Sequence, residues 1–207
     1  MDDVVAKQIT EREPRNNNSN LIGLRGAILC AGVATALTGL TAPPAAADPS
    51  NYTGYHPVDP KPFQTFNTYG GGGAQFTSPS GQLCRIVVIS RGMFAYIECL
   101  GELHGSAEGN NLVRITTTAP SGFSKTTREE FLSTQRVGPD GVTREPTGAA
   151  GFIPLPAGSS LTYTSSVWSG TCAVDATSTR CTVTSNHSDG TVTTKSFAST
   201  ATDATID

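Results

Sequence analysis

Apolar and polar residues alternate in short runs over most of the chain, and this pattern predicts β-strands. Each run is about four to eight residues long, rich in β-branched and aromatic residues, and bounded by Gly, Pro, Asn, Asp or Ser. The runs recur about every ten residues, as in a small antiparallel sandwich or open barrel, so the predicted fold class is all-β. The expected strands cover 74–77, 84–90, 93–99, 112–118, 152–153, 161–168, 171–174, 180–184 and 191–197.

The first long hairpin places two cysteines opposite each other. If 91–92 form a two-residue turn, residues equally distant from that turn face one another, and Cys84 lies opposite Cys99. One face of the hairpin then carries the two cysteines with Ile86, Val88, Ala95 and Ile97. The other face carries Arg85, Val87, Ile89, Phe94, Tyr96 and Glu98. Because the middle of both faces is apolar, we expect this hairpin to lie at the centre of a sheet.

A second hairpin repeats the arrangement. With 175–178 as a four-residue loop, Cys172 lies opposite Cys181. Four cysteines allow three pairings, and strand geometry selects the two local ones, each worth about 3 kcal/mol in the chain-entropy model. The sequence therefore predicts two disulfides, Cys84–Cys99 and Cys172–Cys181.

One helix is expected at most, over 126–135. Thr126 with Glu129 fits a capping box, in which each side chain satisfies a backbone N–H of the other residue.

The first 47 residues have the organisation of an export signal. A basic residue, Arg25, precedes a small-residue apolar run over 26–42, and Pro43-Pro-Ala-Ala-Ala47 follows that run. We predict a signal peptide over 1–47, cleaved after Ala47, and a secreted protein; the alternative is a membrane anchor retained through 21–42. The polar stretch 1–20 is long for a signal peptide, which suggests an over-extended translation start.

Composition divides the remaining chain into three parts. Residues 48–73 are rich in Pro, Tyr and Gly and are expected to be a flexible segment. The β domain is expected over 74–197, and the small polar residues 198–207 are expected to be a frayed tail.

Charge limits the classes of partner. The chain has 14 Lys and Arg against 17 Asp and Glu, a net charge of −3, whereas nucleic-acid-binding proteins normally carry a basic excess. No nucleic-acid partner is expected. Residues 159–207 are rich in Ser and Thr, so their strands have polar outer faces that would bind a sugar or a cell-wall polymer or, more simply, keep an exported β domain soluble. The expected partner is a cell-envelope polymer or an extracellular protein, and a membrane only if 21–42 is retained.

Two motifs resemble those of an uncharacterised family of small secreted actinobacterial proteins, of mycobacterial type. Phe76-Thr-Ser-Pro-Ser-Gly81 is followed closely by Cys84, and Leu155-Pro-Ala-Gly158 precedes the second cysteine pair. The resemblance covers 76 to about 197. It implies export, two disulfides and a β fold, and supplies no catalytic residue. The chain departs from the family pattern at Gln82, where Asn is usual, and lacks the extra cysteines and Trp-Pro-Pro segment of many members.

Few residues suggest chemistry. Glu102 and His104 would share a face of a strand, and His187 and Asp189 share a turn, but neither pair has the convergent partners that catalysis requires. No Cys-x-x-Cys occurs, so zinc binding is not expected. The aromatic residues Phe152, Tyr163 and Trp168 would line a binding surface or, more simply, fill the core.

The sequence accordingly predicts no catalytic, cofactor-binding or metal-binding residue. The favoured interpretation is a secreted, non-catalytic β domain that binds a cell-envelope or extracellular ligand. One alternative is a small hydrolase that uses Glu102, His104 or His187. Another is an inhibitor of extracellular proteases that presents Arg144 in a loop over 138–151.

Overall fold

A computed structural model describes residues 51–207 except 69, 92, 139 and 147, without the side chains of 135–138, 142 and 144. The predicted signal peptide, the turn residue Gly92 and the Arg144 side chain therefore lie outside the described residues. None of the helices in the described part of the chain is long and apolar enough to cross a membrane.

Short strands account for most of the described chain, as the sequence pattern predicts. They are β1 (His56–Pro57), β2 (Phe66–Thr68), β3 (Gly71–Thr77), β4 (Leu83–Ile89), β5 (Phe94–Leu100), β6 (Leu112–Thr116), β7 (Gly122–Ser124), β8 (Ser133–Gly138), β9 (Gly141–Pro146), β10 (Ile153–Pro154), β11 (Ser159–Ser165), β12 (Trp168–Val174), β13 (Thr179–Asn186), β14 (Val192–Ser199) and β15 (Ala204–Ile206). Two one-turn helices accompany them, a 3-10 helix over Lys61–Phe63 and α1 over Arg128–Phe131.

The strands form two large sheets and a separate hairpin. The six-stranded sheet has the order β1-β11-β12-β13-β14-β15, and the seven-stranded sheet has the order β10-β3-β4-β5-β6-β7, with β2 also paired to β3. Neighbours are antiparallel except at two places, β1 with β11 and β10 with β3. Strands β8 and β9 pair with each other. Over the described residues, the all-β antiparallel fold with one short α-helix is thus confirmed.

The main core lies between the two sheets. It buries aliphatic and aromatic side chains from both inner faces, together with all four described cysteines. Gly170 on β12 lets the sheets approach, because a Cβ there would collide with Ile86 on β4. The largest fully buried apolar side chains are Phe76, Phe197, Ile86, Ile97, Ile115, Leu155 and Leu161.

Both predicted disulfides are confirmed. Cys84 faces Cys99 across β4 and β5, and Cys172 faces Cys181 across β12 and β13, each pair with a Cα–Cα distance of 4.1 Å. Local strand pairing brings the cysteines together in the predicted register.

The hairpin of β4 and β5 lies in the middle of its sheet, as predicted. Its inner face belongs to the main core, and its outer face is also covered. There Phe131 of α1 and Phe152 pack with Leu83 and Leu100 in a second, smaller cluster.

Residues 51–73 differ from the flexible segment expected. The amides of His56 and Val58 donate to the carbonyls of Gly158 and Ser160, and β2 and β3 belong to the seven-stranded sheet. The hydroxyl of Tyr52 donates to Thr182 Oγ1 on β13 at 2.6 Å. The glycines that suggested a linker allow close strand approach instead, since a Cβ on Gly73 would collide with the carbonyl of Ile86.

Three further boundaries differ from expectation. The tail forms β15, which pairs with β14 and buries Ala204 in the main core. The helix ends at Phe131, because the chain after Leu132 pairs as β8 with β9. Its capping box uses Thr127 and Glu130, one residue later than predicted, since Thr127 is the last residue with extended backbone angles. Because β8 pairs with β9, residues 141–146 form a strand within the region 138–151, where a loop was expected.

Candidate functional site

The structure brings Glu102 and His104 into contact but adds no third catalytic partner from the part of the chain it describes. Their Oε1 and Nε2 atoms are 3.4 Å apart, in the loop after β5, and the Glu102 side chain is 79% exposed. Within the described residues, His104 has no hydrogen bond to a serine hydroxyl. The pair is therefore a solvated contact and lacks a positioned nucleophile.

His187 and Asp189 lie in the turn before β14 and have separate partners. His187 Nε2 contacts Thr193 Oγ1 at 2.9 Å, whereas Asp189 accepts hydrogen bonds from the hydroxyl and amide of Thr191. These hydrogen bonds lower the pKa of the exposed Asp189 carboxyl. The arrangement stabilises a turn and does not form a catalytic triad.

The aromatic candidates are distributed over the molecule. Trp168 lies in the main core, Tyr163 packs against that core, and Phe152 lies in the smaller cluster on the outer face. They fill the interior and do not form a common binding surface.

The segment that carries the family resemblance forms a tight turn. The amide of Gln82 donates to Ser78 Oγ, and the Ser78 amide donates back to the Gln82 carbonyl. The Gln82 side chain, buried at the end of the sandwich, donates from Nε2 to the Glu102 carbonyl and to Ser199 Oγ. It thus connects three separate parts of the chain.

A row of polar residues crosses the outer face of the seven-stranded sheet. Gln75 on β3 faces Arg85 on β4, Arg85 faces Glu98 on β5, and Glu98 faces Arg114 on β6. Gln75, Arg85 and Glu98 are buried, Glu98 with only 1% of its surface exposed. We call these four residues the polar row.

Two arginines hold the Glu98 carboxylate. Oε1 accepts a hydrogen bond from Arg85 Nε, while Oε2 accepts from Arg114 Nε at 2.7 Å and contacts Arg114 Nη2 at 2.5 Å. Burial disfavours the charged form of Arg114, but the neighbouring Glu98 outweighs this and raises the pKa of the guanidinium. Arg85 Nη1 is buried without a hydrogen-bond acceptor among the described residues.

Aromatic rings surround both guanidinium groups. The Cζ atom of Arg85 lies 4.3 Å from the ring centroid of Phe131 and 5.3 Å from that of Phe66. The Cζ atom of Arg114 lies 4.7 Å from the Tyr96 ring. These distances suit cation–π attraction, which strengthens when the charge is desolvated. Burial, and then the charge of Glu98, raise the pKa of Tyr96 to about 12, so its hydroxyl stays protonated at neutral pH.

The polar row opens into a groove with a volume of about 640 Å³. Arg85 and Arg114 line it with Tyr96, and α1 contributes Glu130 at its edge. Phe66, Ile89, Phe94 and the hydroxyl-bearing residues Thr68, Thr126, Ser133 and Thr134 complete the lining. We call it the arginine groove.

Sequence reasoning placed Arg85 and Glu98 on one face but did not identify a site there. The available signal was a pair of opposite charges at facing positions on an otherwise apolar surface. The rings of Phe66 and Phe131 that cover Arg85 come from distant segments, and local sequence patterns do not predict where those segments lie.

The groove is suited to binding and offers little for catalysis. Glu98 already accepts from two arginines, so it lacks the free basic oxygen of a general base. The described residues contain no group of three side chains that could hold a metal ion.

No protein-family model, curated protein or solved structure matches this chain.

Proposed function

We propose that this chain is an exported, non-catalytic binding domain that recognises a cell-envelope or extracellular ligand through the arginine groove. The observation that carries the proposal is the ion cluster of buried Arg85 and Glu98 with half-exposed Arg114 at the floor of a solvent-open groove.

The cysteine chemistry supports export. Disulfides form and persist in oxidising compartments, and both bonds here close short local hairpins. The apolar segment with an Ala-x-Ala end is the independent sequence signal for the same route.

The rigidity of the groove supports binding. Arg85 and Arg114 are fixed by ion pairs and aromatic contacts before any ligand arrives. A preorganised guanidinium loses little conformational entropy when it binds, which favours affinity.

The test is retention of the secreted protein on cell-wall and extracellular-matrix fractions. We expect retention of the wild type, reduced retention of Arg114→Gln, and unchanged retention of Lys195→Gln, which removes an equal charge from exposed β14 of the other sheet. Failure of the wild type to bind any fraction would contradict the proposal. N-terminal sequencing of the same material should begin at Asp48.

A small hydrolase is the second candidate, favoured by the Glu102–His104 contact beside a cavity of about 610 Å³. Ester, peptide and glycoside panels with alanine variants of Glu102, His104 and His187 test it. Absence of turnover in the wild type removes this candidate. A protease-inhibition assay tests the remaining alternative based on Arg144.

A further inference from the structure

We infer that the arginine groove recognises the carboxylate of an acidic saccharide. This inference rests on the proposed function and specifies the ligand class of the same site.

The groove has more hydrogen-bond donors than acceptors. Both arginines donate to Glu98, and the Glu130 carboxylate accepts from the amide of Thr127 and the hydroxyl of Thr126. The acidic side chains are therefore engaged, whereas Arg85 Nη1 has no acceptor. A ligand that supplies acceptor oxygens complements this surface.

Arg114 presents the edge that a carboxylate would meet. Its Nε and Nη2 atoms contact Glu98, and its side chain is 50% exposed. A guanidinium has five N–H donors in a planar fork, so the edge formed by Nη1 and Nη2 retains donors for a second carboxylate. Two parallel N–H···O bonds at that edge fix the orientation of the ligand.

The charge balance favours a singly charged ligand. Glu98 and Glu130 oppose the two arginines among the groove's lining and floor residues. A dianionic phosphate at Arg114 would meet stronger repulsion from these carboxylates than a monoanion would. This consideration selects a carboxylate over a phosphate monoester.

The rest of the lining favours a sugar as the carrier of that carboxylate. Hydroxyl-bearing side chains from β2, β8 and the segment just before α1 surround the arginines, and the half-buried Phe94 and Tyr96 rings supply apolar area. Saccharides present hydroxyl groups and apolar C–H faces together. The groove volume of about 640 Å³ lies within the usual range for small-molecule sites.

The test compares ligands that differ only in charge. Galacturonic acid and glucuronic acid, each with one carboxylate, are titrated into the full secreted protein by calorimetry, beside their methyl esters. We expect the esters to bind about tenfold or more weakly, because they cannot form the charge-assisted pair with Arg114. We also expect affinity for the acids to fall with added salt.

Variants locate the contact. Arg114→Gln should weaken acid binding about tenfold or more and remove the preference over the ester, and Arg114→Lys should lie between. Lys195→Gln is the matched control and should bind as the wild type. Thermal unfolding checks the fold of each variant, while the acid–ester comparison on the wild type needs no substitution.

The outcomes separate this inference from the proposed function. Equal binding of acids and esters, no binding of either, or stronger binding of inorganic phosphate would overturn the ligand class. If the wild type is still retained on a wall fraction through Arg114, the proposed function stands without the acidic-saccharide inference. If the protein neither prefers acids over esters nor is retained on any fraction, both the ligand class and the proposed function are overturned.

Discussion

At the scale of single residues, the strongest constraint is the burial of the Glu98 carboxylate. An ionised carboxylate removed from water needs several donors to compensate for the lost hydration, and Arg85 with Arg114 supplies them. The same contacts orient the two guanidinium groups that face the groove. One carboxylate thus serves both the stability of the sheet and the geometry of the candidate site.

Replacing Glu98 with Gln should destabilise the protein by about 3 kcal/mol, because the change leaves buried Arg85 without its charge partner. Urea unfolding measures the loss. Glu102→Gln is the matched control, and at its exposed position we expect a change within about 0.5 kcal/mol. Equal effects of the two substitutions would contradict the importance of the ion cluster.

Tyr96 should make stability depend on alkaline pH. Its pKa of about 12 in the folded protein exceeds the ordinary 10.0, so folding favours the protonated hydroxyl. This contribution is fully present below pH 10 and is lost as the pH rises from 10 toward 12, by up to about 2 kcal/mol.

Denaturant unfolding across that range, with tyrosinate absorbance as a second readout, measures the Tyr96 effect. Tyr96→Phe should flatten the pH dependence. A variant that retains the wild-type slope would show that another group is responsible.

Part of the polar row was predictable from local register. The hairpin predicted from the sequence places Arg85 and Glu98 at facing positions, and the structure has them so. Arg114 comes from another strand, and its partner follows only from the strand order of the sheet. Predicting the groove therefore requires the strand order of the sheet, which local sequence patterns do not give.

At the scale of elements, the close approach of the sheets depends on Gly170. A methyl group there would meet Ile86 and lie 3.2 Å from Ile97 Cδ1, both in the opposing sheet. Because packed interiors have little free volume, the sheets must shift or side chains must leave their preferred rotamers.

Gly170→Ala should therefore lower the free energy of unfolding by about 1–3 kcal/mol. Gly122→Ala on β7 is the control, because no atom lies within 4 Å of a Cβ placed there. Chemical denaturation of both variants gives the comparison. A neutral Gly170→Ala would mean that the sheets separate easily.

Hairpins were the elements best predicted from sequence, because a turn fixes the register of its own strands. Both disulfides follow from this local geometry. The helix was predicted too long and its cap one residue early, since the competing pairing of β8 with β9 involves residues farther along the chain.

At the scale of the whole molecule, the segment before β2 fastens one edge of the six-stranded sheet. The amides of His56 and Val58 donate to Gly158 and Ser160 carbonyls at 2.9 Å. Tyr52 adds hydrogen bonds to β12 and β13. Composition suggested a tether, because Pro, Tyr and Gly are common in flexible chain, while the pairing that orders the segment is long-range.

Hydrogen exchange followed by mass spectrometry tests this attachment. Peptides covering 52–58 should exchange at least about tenfold more slowly than an unstructured chain of the same sequence, because the His56 and Val58 amides are paired. Tyr52→Phe should raise the exchange rate about fivefold through the loss of its hydroxyl hydrogen bonds. Exchange at the unstructured rate would restore the tether interpretation.

The all-β class was predictable for the whole molecule, whereas the layer over the outer face was not. Strand periodicity identifies which residues point to a face, but it does not show which distant segment covers that face. Export and the resemblance to small secreted actinobacterial proteins stay predictions.

The two parallel pairings have a consequence for a chain that is synthesised from its amino end. Strand β1 pairs with β11, and β3 pairs with β10. Neither contact can form until the second half of the protein has emerged. Contacts between distant segments form slowly, and unpaired edges invite association with other chains. Nascent or truncated products that stop before β10 would therefore leave β1 without β11, and residues 76–77 of β3 without β10, even if their local hairpins had folded.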